Sequence, residues 1–260
     1  MPYANLPNVR IYYEEHGSGE PLLFLHGFTL DRRMWRRDVP FFSHSFRVIV
    51  YDSRGHGLSD ATISGYSRSD RVEDLLHLVD FLKIERFHLV GLSMGGATGI
   101  GFALKYQHRL KSLALVSTGA AGYSAGKKFS RLDAIAKEQG KDTVMCEWIK
   151  MALSWYKGDK LEIKDFMWTM MNEHSGAVWM DPMRGKYPTS VDLDHIHTIS
   201  VPTCIFAGSS DRIFVPLAEK LHERIKGSIL HIYEGIGHMV NLEAPEQFRS
   251  DLKLFLDSVK

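Results

Sequence analysis

Three side chains in this sequence, Ser93, Asp211 and His238, are of the types that together perform nucleophilic acyl transfer. A serine hydroxyl becomes an effective nucleophile only when a base removes its proton, and histidine is the side chain that titrates closest to neutral pH. A carboxylate on the other ring nitrogen selects the histidine tautomer and stabilises the imidazolium. The three residues are far apart in sequence, so the fold must bring them together.

Ser93 occupies the centre of the G-x-S-x-G pattern at residues 91–95, GLSMG. An apolar run that predicts a strand, Phe87–Leu92, precedes it, and a helix is predicted to begin at Met94. A serine on a sharp strand-to-helix turn is held in a strained backbone conformation with its hydroxyl exposed. The alternative is that Ser93 is one more small residue in a tightly packed glycine-rich stretch. The strand and helix around it favour the nucleophile.

Asp211 and His238 each follow a later predicted strand, Thr203–Ala207 and Ile229–Tyr233 respectively. Open α/β sheets build their sites in the loops at the carboxyl ends of parallel strands, and a single crossover makes these two loops neighbours. The alternatives are a turn or N-cap aspartate and a loop histidine that binds a backbone carbonyl. His231 lies within its strand and is predicted to be a packed residue. We therefore expect His238 to be the base and Asp211 its partner.

Acyl transfer also requires hydrogen-bond donors for the oxyanion that forms on the substrate. The backbone N–H of Met94, the residue after Ser93, is one candidate. The second is expected from the loop LHGFT that follows the predicted strand Leu22–His26, and we assign it to the N–H of Phe28. His26 itself is expected to be structural, because its ring can fix this loop by hydrogen bonds.

A second polar, glycine-spaced stretch, DSRGHGLS at residues 52–59, also follows a predicted strand. Its charged residues could suggest catalysis. An arginine and an aspartate this close together at a strand end most simply tie the loop to its neighbours. Ser53, Arg54 and His56 are therefore expected to be structural.

Short apolar runs that barely alternate with polar residues predict strands buried on both faces of a parallel sheet. They are Val9–Glu14, Leu22–His26, Val48–Asp52, Phe87–Leu92, Ser112–Ser117, Thr203–Ala207 and Ile229–Tyr233. Amphipathic patterns between them predict helices, including Asp70–Leu82 and Met94–Tyr106. This alternation predicts the α/β class, with an open and mostly parallel sheet flanked by helices.

The strand and helix alternation stops between Ser117 and Thr203, where several helices are predicted instead. We expect residues 122–190 to be a helical insertion between two parts of one core, residues 1–121 and 191–260. Four of the five tryptophans and seven of the eleven methionines fall in it. They could form the insertion's own core or line an adaptable apolar pocket. We select Trp148, Trp155 and, outside the insertion, Met239 as candidate substrate-binding residues.

Composition and charge narrow the possible partners. With a formal net charge of only +1 and no basic stripe, the chain is not expected to bind nucleic acid. No secretory signal or membrane-spanning segment is predicted, which favours a cytoplasmic protein. Cys146 and Cys204 lack disulfide or zinc spacing and are expected to be buried, reduced thiols. No metal and no cofactor are predicted, and oligomeric state is not readable from the sequence.

Five motifs occur in an order and at intervals that resemble the α/β-hydrolase superfamily: LHGF, YDSRGHGLSD, GLSMGG, GSSDRIFVP and GIGHMVNLEAPEQF. The resemblance covers nearly all of the chain outside the insertion. It implies an eight-stranded sheet, with the additional strand near the N-terminus, and a cap domain inserted after the sixth strand. It also implies that Ser93 is the nucleophile, Asp211 the acid and His238 the base, with Phe28 and Met94 at the oxyanion positions.

Within the superfamily, serine at position 93 disfavours the branches with an aspartate nucleophile, the epoxide hydrolases and haloalkane dehalogenases. The GLSMGG sequence and the short cap are similar to those of 3-oxoadipate enol-lactonases and related carboxylesterases. This predicts an enzyme that cleaves a small, largely apolar ester or lactone, its partner being that small molecule. The alternatives are a carbon–carbon bond hydrolase of a ring-fission diketone, a cofactor-free perhydrolase, and a non-catalytic binder of a small molecule. Leu92 and LHGFT depart from the pattern typical of the carbon–carbon hydrolases.

Overall fold

A computed structural model describes residues 3–123, 128–183 and 191–259 of the chain. The strands are β1 Tyr3–Leu6, β2 Val9–His16, β3 Glu20–Leu25, β4 Phe46–Tyr51, β5 Phe87–Leu92, β6 Leu110–Val116, β7 Thr203–Gly208 and β8 Ile229–Tyr233. They form one sheet in the order β1-β2-β4-β3-β5-β6-β7-β8. Pairings from β4 through β8 are parallel, whereas β1 with β2 and β2 with β4 are antiparallel. The predicted α/β class and eight-stranded sheet are confirmed, and β1 is the additional N-terminal strand.

Helices cover the sheet and connect its parallel strands. They are α1 Val39–Phe42, α2 Arg68–Phe81, α3 Met94–Tyr106, α4 Lys128–Leu153, α5 Leu161–Asn172, α6 Asp192–His195, α7 Val215–Arg224, α8 Val240–Glu243 and α9 Pro245–Ser258. The predicted helix from Met94 to Tyr106 is confirmed in full. Helix α2 begins two residues earlier than predicted, because Ser67 and Asp70 form a reciprocal capping box at its N-terminus.

The central strands are buried on both faces, as their unbroken apolar runs predict. In β3, Leu22 and Phe24 pack into the core on one face, and Leu23 and Leu25 pack into a separate core on the other. None of the four is more than 1% exposed. The first of these two cores continues without interruption into the helices that stand between β6 and β7.

Between β6 and β7, the described residues form helices joined by loops and no strand, in agreement with the predicted break in alternation. Helix α4 is interrupted at Gly140, where φ is 81°, and it packs against α5. Residues 124–127 and 184–190 of the predicted insertion lie outside the described residues. Apolar residues of α4 and α5 belong to the same core as one face of the sheet, so these two helices pack against the sheet.

One expectation about the cysteines is wrong. Cys204 is buried in β7, but Cys146 is exposed on α4. Position 146 faces away from the side of α4 that packs on the core, where Val144 and Trp148 are buried. Both cysteines are free thiols. Within the described ranges, no helix has the length and apolar character needed to cross a membrane.

Candidate active site

Ser93 stands at the junction of β5 and α3 in a backbone conformation that L-residues rarely adopt. Its φ is 54° and its ψ is −107°. Such strain costs about 1–3 kcal/mol and persists only where the surrounding structure enforces it. Here the Ser93 N–H donates to the Val116 carbonyl, 2.9 Å away on the neighbouring strand. The hydroxyl makes no capping bond to α3, so it remains available to the cavity above the strand ends.

The glycines around Ser93 allow the backbone segments to cross closely. A Cβ on Gly91 would lie 2.5 Å from the Gly95 carbonyl group. A Cβ on Gly95 would overlap the Leu25 carbonyl, and one on Gly96 would overlap the Thr118 side chain. The G-x-S-x-G spacing is therefore a steric requirement of this turn.

His238 and Asp211 meet at the carboxyl ends of the adjacent strands β8 and β7. Nδ1 of His238 lies 2.6 Å from Oδ2 of Asp211, and both side chains are at least 95% buried. The other oxygen, Oδ1, accepts the N–H of Phe214 at 3.4 Å. An acceptor on Nδ1 places the neutral ring's proton on that nitrogen and leaves Nε2 unprotonated, as a general base requires.

Glu243 is a residue to which sequence reasoning assigned no functional role. Its carboxylate accepts the backbone N–H groups of Gly237, Met239 and Lys157, each at 3.0 Å. The first two flank His238, and the third belongs to the segment after α4. The sequence signal that could have indicated this role is an acidic residue shortly after a glycine-flanked histidine. Glu243 thus fixes the loop that carries His238.

Two cavities adjoin Ser93. The smaller has a volume of about 20 Å³ and is lined by Ser93, His238 and Met239 among others, which is space for about one water-sized group. The larger has a volume of about 450 Å³ and is lined by Ser93 together with Phe28 and Met94. The serine and the histidine therefore face a shared space, with room for a small substrate alongside.

The two predicted oxyanion donors lie on the larger cavity. Within the described residues, neither the N–H of Phe28 nor that of Met94 donates to a protein acceptor. Met94 is the first residue of α3, where backbone N–H groups lack intrahelical partners. A helix N-terminus also favours negative charge. The absence of a competing acceptor among the described residues is compatible with the predicted oxyanion role of both N–H groups.

The loop that carries Phe28 is held by two buried histidines. Nε2 of His26 accepts the Ser53 N–H at 2.9 Å, while its Nδ1 lies 2.8 Å from the Gly27 carbonyl. Nε2 of His56 accepts the Thr29 N–H at 3.2 Å. Burial lowers the pKa of both rings, so both are neutral at pH 7. His26 and His56 are structural, as expected.

The charged residues of the 52–59 loop are also tied to structural partners. Arg54 contacts Asp74 of α2 through two hydrogen bonds, of 2.7 and 3.0 Å. Asp52 accepts a hydrogen bond of 2.8 Å from the Arg32 guanidinium. These pairs fix the loop beside the site, and neither residue lines the two cavities next to Ser93.

The three candidate substrate-binding residues all line the space beside Ser93. Trp148 and Trp155 border both cavities, and Met239 borders the smaller one. The Trp155 ring also packs on the His238 ring, with centroids 5.2 Å apart. Trp168, in contrast, is 48% exposed on the outside.

The methionines of α5 mostly pack into the core of the insertion. Met167 and Met170 are buried and border neither cavity beside Ser93, whereas Met171 reaches the smaller one. Among the described methionines between β6 and β7, only Met171 borders a cavity beside Ser93, whereas Met94 and Met239 border the cavities from other segments. Aromatic rings supply most of the cavity wall.

A parallel sheet with this strand order and a serine on a strained strand-to-helix turn define the class of α/β hydrolases. The family model for the alpha/beta hydrolase fold matches residues 20–245. The chain therefore belongs to the α/β-hydrolase family and is an enzyme of that family.

Similar proteins span several hydrolase activities. The chain is 27% identical to 3-oxoadipate enol-lactonase 1 of Acinetobacter baylyi over 92% of this chain and 89% of that protein. It is 30% identical to a 2-hydroxy-6-oxononadienedioate/2-hydroxy-6-oxononatrienedioate hydrolase of Paraburkholderia phymatum over 95% and 91% of the two chains. A thermophilic esterase from Thermogutta terrifontis has a similar structure, with a TM-score of 0.86, 27% identity and coverage of 100% and 97%.

Proposed function

We propose that the protein is a serine hydrolase that cleaves a small carboxylic ester or lactone through an acyl-enzyme on Ser93. The observation that carries the proposal is the buried 2.6 Å contact between His238 and Asp211 beside a strained serine on the same cavity. A binding protein gains nothing from a serine held in this conformation. The proposal therefore assigns catalysis rather than storage or sensing.

In the proposed mechanism, Nε2 of His238 removes the Ser93 proton as the hydroxyl oxygen attacks the substrate carbonyl. Asp211 holds the ring through Nδ1–H and stabilises the imidazolium. The negative oxygen of the tetrahedral intermediate accepts hydrogen bonds from the N–H groups of Phe28 and Met94, each worth roughly 3–4 kcal/mol in related sites. His238 then returns the proton to the leaving alcohol, and the acyl group remains on Ser93.

The second half of the reaction requires water at the acyl carbonyl. The space of about 20 Å³ between Ser93 and His238 is large enough for one water-sized group. His238 deprotonates that water, the hydroxide attacks, and the acid leaves as Ser93 regains its proton. We also propose that residues 122–190 act as a cap, with Trp148 and Trp155 contacting the substrate.

Carbon–carbon bond hydrolysis is a second candidate, favoured by the 30% identity to the hydrolase of Paraburkholderia phymatum. The same serine, base and oxyanion donors can serve both reactions, so these residues do not distinguish the two candidates. The preferred substrate distinguishes them. Comparing kcat/KM for aryl esters, lactones and ring-fission diketones separates the two candidates. A strong preference for the diketones would replace ester hydrolysis as the principal activity.

A fluorophosphonate that reacts with activated serines tests the assignment of Ser93. We expect intact-mass analysis to show one added phosphonyl group, peptide mapping to place it on Ser93, and loss of ester hydrolysis in proportion to labelling. Ser93→Ala should be neither labelled nor active. His238→Gln and Asp211→Asn should react much more slowly. Full labelling of Ser93→Ala would contradict the proposal.

A further inference from the structure

The larger cavity beside Ser93 is mainly apolar and aromatic, yet Arg71 also lines it. Among the lining residues that the structure describes, Arg71 is the one that carries a charge. Two lining tyrosine hydroxyls, those of Tyr66 and Tyr123, donate to the backbone carbonyls of Thr62 and Ile213 at 2.6 and 2.9 Å. Arg71 is therefore the strongest polar feature that faces the substrate space.

Among the described residues, both hydrogen-bond partners of the Arg71 guanidinium are neutral. Nη1 donates to the Tyr66 carbonyl at 2.9 Å, and Nε donates to the Thr98 hydroxyl at 3.1 Å. A guanidinium has five N–H donors in a planar fork, so these two bonds leave donors unused. Thr98 lies one turn after Met94 in α3, which places this anchor next to the proposed oxyanion site.

Arg71 also lacks a direct carboxylate partner within the described part of the chain. Among the ion pairs of the described residues none includes it, although Arg54, on the neighbouring loop, binds Asp74 at 2.7 Å. That pairing occupies Asp74, and Asp70 is occupied in the capping box with Ser67. Burial lowers the pKa of Arg71 to about 10, so it remains protonated at neutral pH.

A partly buried arginine without an anion is unusual, because burying a charge is costly unless it is paired. Arg32 shows the ordinary arrangement, with Asp52 at 2.8 Å and Glu14 at 2.7 Å. In contrast, Arg71 lines the cavity with guanidinium donors that no described residue uses. A carboxylate on a ligand there would complete the missing pair in the fork geometry that guanidinium groups favour.

We propose that Arg71 is an anion-binding subsite of the Ser93 cavity, and that the substrate is an ester or lactone whose apolar body carries a carboxylate. The inference rests on the proposed function for its location, since Ser93 defines which cavity holds the substrate. It extends that function by naming the substrate class. Neutral esters remain substrates, but they forgo the contact with Arg71.

Matched aryl esters test the subsite. One series contains mono-4-nitrophenyl esters of linear dicarboxylic acids from succinic to suberic acid, and the other contains the corresponding carboxamides, which have the same length without the charge. For the best chain length we expect kcat/KM to favour the carboxylate by about tenfold to a hundredfold, the range of a charge-assisted hydrogen bond. Arg71→Met should remove this preference, so that the ratio of kcat/KM between the carboxylate and the carboxamide falls to about one.

Two further variants separate charge from packing. Arg71→Lys keeps the charge without the fork and should retain part of the preference. Arg86→Met, at an exposed arginine remote from the cavity, should leave the preference unchanged. Equal use of both series by the wild type would overturn the subsite, as would equal losses for both series in Arg71→Met, which is the result of a purely structural role.

A binding measurement distinguishes failure of the subsite from failure of the proposed function. Calorimetric titration measures the binding of monomethyl adipate and of the corresponding carboxamide. The titration uses Ser93→Ala if the wild type hydrolyses esters, and it uses the wild type if the wild type is inactive. Binding of the carboxylate that is at least about tenfold tighter than the amide, and that is lost in Arg71→Met, supports the subsite even without hydrolysis. Equal affinities overturn it. Lack of hydrolysis together with lack of phosphonate labelling at Ser93 instead contradicts the proposed function.

Discussion

The indole N–H of Trp148 donates a hydrogen bond of 2.5 Å to the hydroxyl of Thr29. That hydroxyl in turn donates to the Phe28 carbonyl at 2.6 Å, and Thr29 itself has a φ of 60°. The Trp148 ring packs edge-on against the Phe28 ring, with centroids 5.0 Å apart. A side chain from the insertion thus fixes the loop that carries a proposed oxyanion donor.

Replacing Trp148 by phenylalanine keeps an aromatic ring but removes this hydrogen bond. A net loss of about 1 kcal/mol at the loop is expected to lower kcat by about fivefold, because 1.36 kcal/mol corresponds to a factor of about ten. Thr29→Val should cause a similar loss. If both act through one bond, the double variant should lose little more than either single variant. Steady-state measurement of kcat for the wild type, both single variants and the double variant tests this coupling.

Trp168→Phe is the matched control, because Trp168 is an exposed tryptophan of the same segment. It should leave kcat unchanged. Fully additive losses in the Trp148 and Thr29 double variant would show that the two residues act independently.

Replacing Glu243 by alanine should disrupt the loop of His238. Three backbone N–H groups at part-buried or exposed positions lose their acceptor, and each lost hydrogen bond costs about 0.5–1.5 kcal/mol net. We expect a lower melting temperature and a kcat/KM at least about tenfold lower. Glu243→Gln retains one acceptor oxygen and should be intermediate. Glu246→Ala, at an exposed position three residues later, is the control. Unchanged kinetics in folded Glu243→Ala would exclude this positioning role.

Gly95→Ala, which adds a methyl group, should destabilise the turn at Ser93. The added Cβ would overlap the backbone carbonyl of Leu25, which cannot move without shifting β3. The free energy of unfolding is expected to fall by about 1–3 kcal/mol, the usual range for overpacking. Urea unfolding measures this change, and slower phosphonate labelling of Ser93 should accompany it.

Gly99→Ala is the comparison within the same helix. Its Cβ would lie 3.1 Å from the Leu113 side chain, which can adjust. Alanine is more favourable than glycine in a helix by about 1 kcal/mol. This gain should offset the cost of the close contact. Equal destabilisation by both substitutions would argue against a special role for Gly95.

Buried His174 should make the fold less stable in acid. Burial lowers its pKa from 6.5 to about 3, with repulsion from His26 adding to the shift. Between these values the unfolded chain binds a proton that the folded chain does not, so stability falls as pH falls through this range. The slope for one proton is at most about 1.36 kcal/mol per pH unit. Urea unfolding at several pH values between neutral and mildly acid measures it.

His174→Gln removes this titrating group and should make the pH dependence shallower. His108→Gln changes an exposed histidine and should leave the dependence as in the wild type. Parallel stability curves for the wild type and His174→Gln would show that His174 does not contribute to acid sensitivity.

Much of the core could be predicted because its signals are local. Unbroken apolar runs such as LLFL in β3 indicate strands buried on both faces, and the order of strands and helices indicates a parallel sheet. The GLSMG spacing predicts the turn at Ser93 because only glycine fits the close crossings around it. The loop positions of Asp211 and His238 follow from the rule that sites form at strand ends.

The sequence by itself therefore determined the class of fold, the residues proposed for catalysis and the helical character of the insertion. Only the tertiary structure decided that Trp148 contacts Thr29, that Glu243 holds the loop of His238, and that Arg71 lines the cavity without a carboxylate partner among the described residues. The physical reason is that periodicity reports which face of an element is buried. Which polar groups from distant segments meet there depends on packing across elements, and no local pattern encodes it.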